Sequence, residues 1–361
     1  MAVTVYIVDD SALMRQTLAH LLRGDPQLEV IGSAPNPLIA GPAIEKRRPD
    51  VLLLDIEMPG MDGLTFLRQV MERQPIPTVI CSTLTTEGSR TALDALAAGA
   101  VAVVAKPRLG LKQFLEDSRR ELCQTLLAAA RTTPRGGARL AANHAASPAQ
   151  RSAPAPRHAM PAAGALASVL AMNRPVLIGS STGGTQAIEA VLTAMPADGP
   201  AIAIVQHMPE KFTAMYAERL NGICAMRVRE ARDGDRLERG LALIAPGGRH
   251  LQLRKASGQY FAVISDGPPV NRHKPSVDVL FRSAVDCVGK EALVLILTGM
   301  GDDGARGMAA LHAVGARTLA QDEASCVVFG MPKEAIAHGG VDAVLPLRDM
   351  ADAILSFDQR R

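Results

Sequence analysis

Five short apolar runs punctuate the first part of the chain, and amphipathic stretches of helical period separate them. One such stretch, Ser11 to Arg23, follows the first run directly. Alternation of this kind is typical of βα units, whose strands form an open parallel sheet with helices on both faces. We therefore predict a five-stranded α/β domain over residues 1–125. The runs are VTVYIV, LEVIGS, VLLLD, PTVICS and VAVVAK.

Apolar runs resume in the last part of the chain, where VLIGS, AIAIVQ and ALVLILT are almost continuously hydrophobic. Such runs indicate parallel strands that are buried on both faces. Shorter patterns lie between them, around LALIAPGG, HLQLRK and YFAVISD, and their glycine spacing favours antiparallel hairpins. We predict a doubly wound, mostly parallel α/β domain with a β-hairpin insertion over residues 172–361.

The two predicted domains are separated by a segment rich in Ala, Pro and Arg, residues 126–171. Its central part reads RGGARLAANHAASPAQRSAPAPRHAMPAAG and contains no acidic residue. Such a composition buries too little apolar surface to offset the entropy of ordering, which predicts a linker. Its arginines have two open interpretations, solubility alone or contact with an acidic partner.

Composition narrows the class of protein. The net charge of +3 on 361 residues offers no basic stripe, which argues against a nucleic-acid binder. The 5 cysteines form no CxxC pair, as expected for a reduced, cytoplasmic protein. The N-terminus MAVTVYIVDD lacks a signal-peptide pattern, and no apolar run reaches the length of a bilayer span. We expect a cytoplasmic protein without membrane insertion.

Polar residues stand at the ends of the first, third, fourth and fifth predicted strands of the first domain. They are Asp9, Asp10, Asp55, Ser82 and Lys106. The carboxyl ends of parallel strands share one edge, where ligands of such folds bind. Three carboxylates brought together there predict a divalent cation, and an all-oxygen ligand set suits Mg²⁺. Beside the metal, Asp55 can attack a phosphoryl group while Lys106 and Ser82 meet the transferred oxygens.

With these residues the first domain resembles a two-component receiver domain. The resemblance implies a flavodoxin-like fold, with Asp55 as phosphoacceptor and a histidine kinase as phosphodonor. It implies Mg²⁺ binding by Asp10, Asp55 and the backbone carbonyl of Glu57, with an indirect contribution from Asp9. It also implies that Lys106 senses the phosphate and that Ser82 is the switch hydroxyl, beside the alternative hydroxyl of Thr83.

The stretch IGSSTGGTQ in the second domain admits several interpretations. Its glycines lack the spacing of a dinucleotide-binding loop, and it has no lysine for a Walker loop. It does contain G-x-S-x-G between a predicted strand and a predicted helix, which places Ser181 on a sharp turn. Nearby backbone N–H groups and the helix N-terminus favour a developing oxyanion there. The alternative is that the stretch is only a tight turn that allows the strand and the helix of a βα unit to pack together, without a role in catalysis.

Candidate partners for a serine nucleophile follow two other strands. His207 comes directly after AIAIVQ, one βα unit beyond Ser181, and is the favoured base; His250 and His273 are less favoured. Asp302 and Asp303 follow ALVLILT and can supply the carboxylate that orients the base.

Six segments of the second domain resemble the bacterial chemotaxis protein-glutamate methylesterases. They are IGSSTGGTQAI, QHMP, IAPGG, DGPPVNRHKPSVDVLF, LTGMGDDG and EASCVVFGMPKEAI. The resemblance implies Ser181 as nucleophile, His207 as base and Asp303 as carboxylate. Thr182 and the backbone of Met300 would shape the oxyanion site. Asp302 ranks second as the carboxylate, and Ser180 is the competing hydroxyl.

The resemblance implies hydrolysis of glutamyl methyl esters on the cytoplasmic helices of chemoreceptors, with release of methanol. It further implies deamidation of particular receptor glutamines, control by phosphorylation, and no cofactor for the hydrolysis. Two alternatives stay open at this point. The second domain could be a phospho-regulated binding module without hydrolase activity, or an esterase for another methyl-accepting protein.

Overall fold

The structure is a computed structural model that describes residues 2–83, 86–106, 112–132 and 174–359. Two parallel sheets organise these residues, one in the N-terminal half and one in the C-terminal half. The predicted linker lies, from residue 133 to 171, outside the described residues. None of the helices among the described residues combines the length and the apolar character needed to cross a bilayer.

The N-terminal sheet has five parallel strands in the order β2-β1-β3-β4-β5. This is the strand order of the flavodoxin-like fold, and all five predicted strands are confirmed. The strands are β1 Val3–Val8, β2 Leu28–Ala34, β3 Val51–Leu54, β4 Thr78–Ser82 and β5 Ala102–Ala105. The helices are α1 Ala12–Arg23, α2 Pro37–Lys46, α3 Gly63–Arg73, α4 Thr86–Ala97 and α5 Lys112–Ala130.

Short polar side chains start the first three helices just beyond the strand ends. Ser11, Asn36 and Asp62 each accept a hydrogen bond from a backbone N–H in the first turn of α1, α2 and α3. An N-cap of this kind stabilises a helix start by about 1 kcal/mol. The caps therefore start each helix a few residues after the preceding strand. The polar residues after β1 and β3 consequently stay at the edge of the sheet.

The C-terminal sheet has seven parallel strands in the order β14-β13-β12-β6-β7-β9-β8, and an antiparallel hairpin, β10-β11, stands apart from it. The strands are β6 Val176–Ser180, β7 Ile202–Gln206, β8 Arg227–Glu230, β9 Leu241–Ile244, β10 His250–Ala256, β11 Gln259–Ser265, β12 Leu293–Ile296, β13 Arg317–Gln321 and β14 Ala343–Leu345. The α-helices are α6 Gly184–Thr193, α7 Glu210–Ile223, α8 Val277–Cys287, α9 Ala305–Ala313, α10 Met331–Ala337 and α11 Met350–Gln359.

The predicted hairpin insertion is confirmed for β10 and β11, but the assignment of LALIAPGG to a hairpin was wrong. Its strand, β9, pairs parallel with β7 and β8 inside the main sheet, and all four of its residues are buried. The glycines after β9 lie in the loop that leads from the main sheet to β10, and not in a hairpin turn between paired strands. Glycine spacing alone does not distinguish the two, because each needs a tight backbone.

All strands of the C-terminal sheet are parallel, but the connections between them run in opposite directions on either side of the neighbouring strands β12 and β6. From β6 the chain proceeds to β7 on one side, whereas from β12 it proceeds to β13 on the other. Connections that leave two adjacent strands in opposite directions open a crevice at the carboxyl ends, and ligands of doubly wound folds bind there. The crevice lies between the ends of β6 and β12.

The two domains are docked through α4 of the first and the pair α6 and α7 of the second. Buried Leu93 and Leu96 on α4 belong to the same hydrophobic cluster as Ile188 and Tyr216 of the second domain. At the edge of this contact, Gln186 Nε2 on α6 donates to the backbone oxygens of Leu96 (3.0 Å) and Ala100 (3.3 Å). The receiver half therefore lies directly on the helix that follows Ser181.

Candidate active site

Ser181 follows the last residue of β6 and stands on a tight turn that leads into α6. Its backbone N–H donates to the carbonyl oxygen of Thr298 at 3.0 Å, beyond the end of β12. Gly183 caps α6 with φ of 80°, and a Cβ there would lie 2.4 Å from Cβ of Val327. Only glycine meets both demands, since other residues rarely adopt this φ and have no room for a side chain. The turn leaves Ser181 partly exposed at the crevice.

The structure separates the two adjacent serines. Ser180 is fully buried, and its hydroxyl donates to Gln206 Oε1 at 2.7 Å. That hydroxyl faces a neighbouring strand and has no access to solvent, so it cannot meet a substrate. Ser181 is therefore the serine that the fold presents at the crevice.

His207 lies at the end of β7, and its imidazole reaches across to the end of β12. Its Nε2 is 2.8 Å from Oδ2 of Asp303. An ionised carboxylate can only accept a hydrogen bond, so Nε2 carries the proton and Nδ1 of the neutral ring is the free base. Nδ1 is buried without a hydrogen-bond partner among the described residues. The predicted base and the predicted carboxylate are therefore in contact, whereas no hydrogen bond joins Ser181 to Nδ1 of His207.

The Asp303 carboxylate, 1% exposed, is held by an unusually complete set of donors. Oδ2 accepts from His207 and from the backbone N–H of Val277 at 2.7 Å, the first residue of α8. Burial alone would raise the pKa of Asp303, but the hydrogen bond from His207, together with those from Asn271 and Ser276, holds it well below its usual range. The donors to Oδ1 are Asn271 Nδ2, Ser276 Oγ and the backbone N–H of Asp278.

The remaining predicted residues have less direct positions. Asp302 is partly exposed, and no ion pair or side-chain hydrogen bond links it to His207. The carbonyl of Thr182 accepts from the Thr298 hydroxyl at 3.0 Å, which ties the nucleophile turn to the end of β12. Met300 follows Gly299, where a Cβ would lie 2.8 Å from Cβ of Ser181. Thr182 is thus part of the turn itself, and Met300 follows the glycine that packs against it.

His273, which the sequence disfavoured, stacks on His207. The ring centroids are 3.6 Å apart and the planes differ by 6°. Burial, followed by the adjacent His207, lowers the pKa of His273 to about 4, so the ring is neutral near pH 7. Ligand atoms of both rings and of Asp303 lie within 4.8 Å of one another. Two parallel stacked rings cannot aim their in-plane lone pairs at one ion, so the stack is not arranged as a metal centre.

A strained turn holds His273 in this stack. The backbones of Val270 and His273 exchange two hydrogen bonds, and the intervening Asn271 and Arg272 have φ of 49° and 68°. Left-handed backbone costs roughly 1–2 kcal/mol for a residue such as arginine. The Asn271 amide offsets this by bridging the carboxylates of Asp278 (2.9 Å) and Asp303 (2.8 Å). Asn271 is a residue that tolerates left-handed backbone, but Arg272 is not, so the local sequence does not predict this turn.

The receiver half assembles the predicted acidic pocket at the edge of its sheet. Lys106 Nζ lies 2.6 Å from Oδ2 of Asp55 and 3.0 Å from Oδ2 of Asp9, and both carboxylates are about 1% exposed. Burial alone would lower the pKa of Lys106, but the hydrogen bonds and charges of Asp55 and Asp9 raise it. Ser82 is fully buried at the end of β4, and the Thr83 hydroxyl donates to Glu57 Oε2 at 2.6 Å.

The same pocket fits a divalent cation. One carboxylate oxygen each from Asp9, Asp10 and Asp55 lie within 4.8 Å of one another, and Asp10 is exposed. Three converging carboxylate oxygens form the hard, anionic set that Mg²⁺ prefers. The backbone N–H of Glu57 donates to Asp55 Oδ1 at 3.1 Å, which places that segment beside the acceptor.

A flavodoxin-like domain with an acidic pocket, docked on an α/β domain with serine, histidine and aspartate at its crevice, defines a class of protein. It is a response regulator whose output domain is an enzyme. The sequence profile described as "CheB methylesterase" matches residues 176–354, and that of the "Response regulator receiver domain" matches residues 5–116. The chain belongs to the family of protein-glutamate methylesterases and glutaminases that carry a receiver domain.

Curated relatives resemble the chain over nearly its whole length. "Protein-glutamate methylesterase/protein-glutamine glutaminase 2" of Xanthomonas campestris pv. campestris is 55% identical over 354 residues, covering 97% of this chain and 99% of that protein. The protein of the same name from Dechloromonas aromatica is 54% identical over 356 residues, covering 98% of each. The solved methylesterase catalytic domain of Thermotoga maritima CheB is 37% identical, covering 50% of this chain and 97% of that chain, with a TM-score of 0.49.

Proposed function

We propose that the chain removes methyl groups from glutamyl methyl esters on the cytoplasmic helices of chemoreceptors, and deamidates receptor glutamines, in the cytoplasm. The observation that carries this proposal is the carboxylate of Asp303 bound to His207 at the crevice where Ser181 is partly exposed. A surface used only for binding has no need of this polar set. The names of the curated relatives support the substrate class.

In the proposed reaction, Ser181 Oγ attacks the ester carbonyl carbon while His207 Nδ1 takes the hydroxyl proton. Asp303 stabilises the imidazolium through Nε2, and backbone N–H groups beside the turn, with Thr182 and Met300, receive the oxyanion. His207 returns the proton to the methoxy oxygen, so methanol leaves and an acyl-enzyme forms. Water then attacks the acyl carbon, with the same Nδ1 as base, and restores Ser181. For a glutamine side chain the leaving group is ammonia.

The receiver half supplies the proposed control. A histidine kinase of a chemotaxis pathway would transfer phosphate to Asp55, and Mg²⁺ bound by Asp10, Asp55 and the Glu57 carbonyl would neutralise the charge of the transferred group. Lys106 and Ser82 would meet the phosphoryl oxygens. In the docked arrangement α4 lies on α6 and α7. We propose that in this position the unphosphorylated receiver would obstruct a receptor helix that approaches the crevice.

The proposal is tested by methanol release from methylated receptor membranes. The full chain should release methanol, and a small phosphodonor with Mg²⁺ should increase the rate, whereas Ser181→Ala should be inactive. A chain that hydrolyses an activated small ester but releases no methanol would act on another methylated protein. A chain inactive on both would be a binding module.

A further inference from the structure

A buried amide side chain lies between the two strand ends that carry the nucleophile and the base. Gln206, the last residue of β7, is 3% exposed. Its Nε2 donates to the backbone oxygens of Ser181 at 2.9 Å and of His207 at 3.1 Å. A single side chain therefore contacts the backbones of both proposed catalytic residues, although it touches neither of their reacting atoms.

The side-chain amide of Gln206 lies just beyond the point where the backbone pairing of β6 and β7 ends. The register of β6 and β7 runs as far as Ser180 opposite Gln206, and the N–H of His207 donates to the oxygen of Ser180 at 3.2 Å. Ser181 then turns away, and its own N–H bonds to Thr298 on the β12 side. The Gln206 amide replaces the next bond of the ladder and spans the gap between the diverging strands.

The orientation of this amide is fixed by Ser180. The buried Ser180 hydroxyl donates to Oε1 at 2.7 Å, which leaves the two N–H donors facing the carbonyl oxygens of Ser181 and His207. Rotating the amide by half a turn would place Oε1 against those two oxygens without a proton between them. The surrounding space is closed as well, since a Cβ on Gly184 would lie 2.1 Å from Oε1.

We propose that Gln206, oriented by the Ser180 hydroxyl, is a positioning residue that sets the separation between Ser181 Oγ and His207 Nδ1. The inference rests on the proposed function, because it concerns the geometry of that same site. A general base must come within about 2.6–3.2 Å of the proton it abstracts, and a displacement of about 1 Å can cost about 100-fold in rate. Holding both backbone carbonyls with one rigid amide keeps the two strand ends at a defined distance.

The test uses the full chain with Gln206→Leu, which removes both ends of the amide, and Ser180→Ala, which removes only the orienting hydroxyl. Gln252→Glu, on the β10 hairpin, is the control for a glutamine substitution away from the crevice. Two rates are measured: covalent labelling of Ser181 by a fluorophosphonate, and methanol release from methylated receptor membranes. Each is expressed per active site, counted from the completed label.

We expect Gln206→Leu to lower the labelling rate and kcat by about 10- to 100-fold, with KM within about 3-fold, because the amide does not touch the substrate. Ser180→Ala should lower both by about 3- to 10-fold, and it preserves packing well enough to remain informative if Gln206→Leu does not fold. The control should match the unchanged chain.

Three results would overturn the proposal. The first is a rate per site within about 2-fold of the unchanged chain for both variants, and the second is an effect on KM alone. The third is a loss of total activity that fewer titrated sites explain entirely. The last would show a role in folding only. Failure of the proposed function looks different. In that case the unchanged chain is labelled but releases no methanol, and the labelling rates still test the pair.

Discussion

Asp303 binds His207 through Nε2, at 2.8 Å, and not through Nδ1. In the general Ser-His-Asp template the carboxylate holds Nδ1, and Nε2 faces the serine. The ring of this protein is therefore oriented in the opposite sense, which leaves Nδ1 available for the serine proton in the proposed reaction. The orientation follows from the positions of the strand ends, because His207 must reach sideways from β7, past β6, to a carboxylate beyond β12.

The reversed ring predicts a specific tautomer. Because the ionised Asp303 accepts from Nε2, we expect the uncharged form of the His207 ring to carry its proton on Nε2. The ¹⁵N chemical shifts of the ring should identify Nε2 as protonated and Nδ1 as bare, with His207→Gln removing those signals. A proton found on Nδ1 would contradict the assignment of the base.

Replacing Asp303 by asparagine should abolish most activity. The variant loses the charge that stabilises the imidazolium and can present an N–H group to Nε2, which favours the wrong tautomer. We expect kcat to fall by about 10⁴-fold with the fold retained. Asp302→Asn is the matched control, because Asp302 lies one residue away and is partly exposed; methanol release from it should stay within a few-fold of the unchanged chain. Equal losses in the two variants would exclude Asp303 as the orienting carboxylate.

Protonation of His273 should destabilise the protein in mild acid. Its pKa is about 4 in the folded chain and 6.5 as the ordinary value, so the unfolded chain binds more protons between these limits. The stability that this histidine contributes is therefore complete above about pH 6.5 and is lost as the pH falls towards 4. His273→Phe keeps a stacked ring but does not titrate.

When the pH falls from about 7 to about 4.5, the free energy of unfolding should decrease in both proteins. We expect the decrease to be about 2 kcal/mol smaller in His273→Phe than in the unchanged chain. Urea unfolding at the two pH values measures this difference. Identical pH dependence in both proteins would show that His273 is not held neutral by the fold.

Phosphorylation of the receiver should require both the metal and Asp55. Three carboxylates within 4.8 Å repel an incoming phosphoryl group unless a divalent cation and Lys106 neutralise them. We expect incorporation of phosphate from a small phosphodonor to disappear with a chelator or with Asp55→Asn, and to fall in Asp10→Ala through weaker Mg²⁺ binding. Phosphate appearing at the unchanged rate in Asp55→Asn would refute the pocket assignment.

The contact between Gln186 and α4 should help to hold the chain in its less active, docked form. Gln186→Ala removes both hydrogen bonds to the receiver and leaves the interior of α6 intact. Losing about 1 kcal/mol of docking free energy should raise the methanol release of the unphosphorylated chain by up to about 5-fold. Glu218→Ala, on the exposed side of α7, is a suitable control. No increase in Gln186→Ala would argue that the docked receiver does not limit access to the crevice.

The sequence by itself determined the five strands of the first sheet, the three central strands β6, β7 and β12 of the second, and the edge on which their chemistry lies. Continuous apolar runs such as VLIGS and ALVLILT, when turn residues bound them, are typical of interior strands, and a polar residue that ends such a strand emerges at the carboxyl edge. Because all strands of each sheet are parallel, Ser181, His207 and Asp303 reach one edge without any knowledge of the strand order. The same logic brought Asp55 to Lys106.

Only the tertiary structure decided which atoms meet at that edge. The G-x-S-x-G register favours Ser181 over Ser180, but only the structure shows that the Ser180 hydroxyl is buried against Gln206 while Ser181 is partly exposed. The stacking of His273 on His207 depends on a turn whose residues carry no local signal. Periodicity reports only whether a position faces the core, whereas these contacts depend on which strands become neighbours and how far their ends diverge.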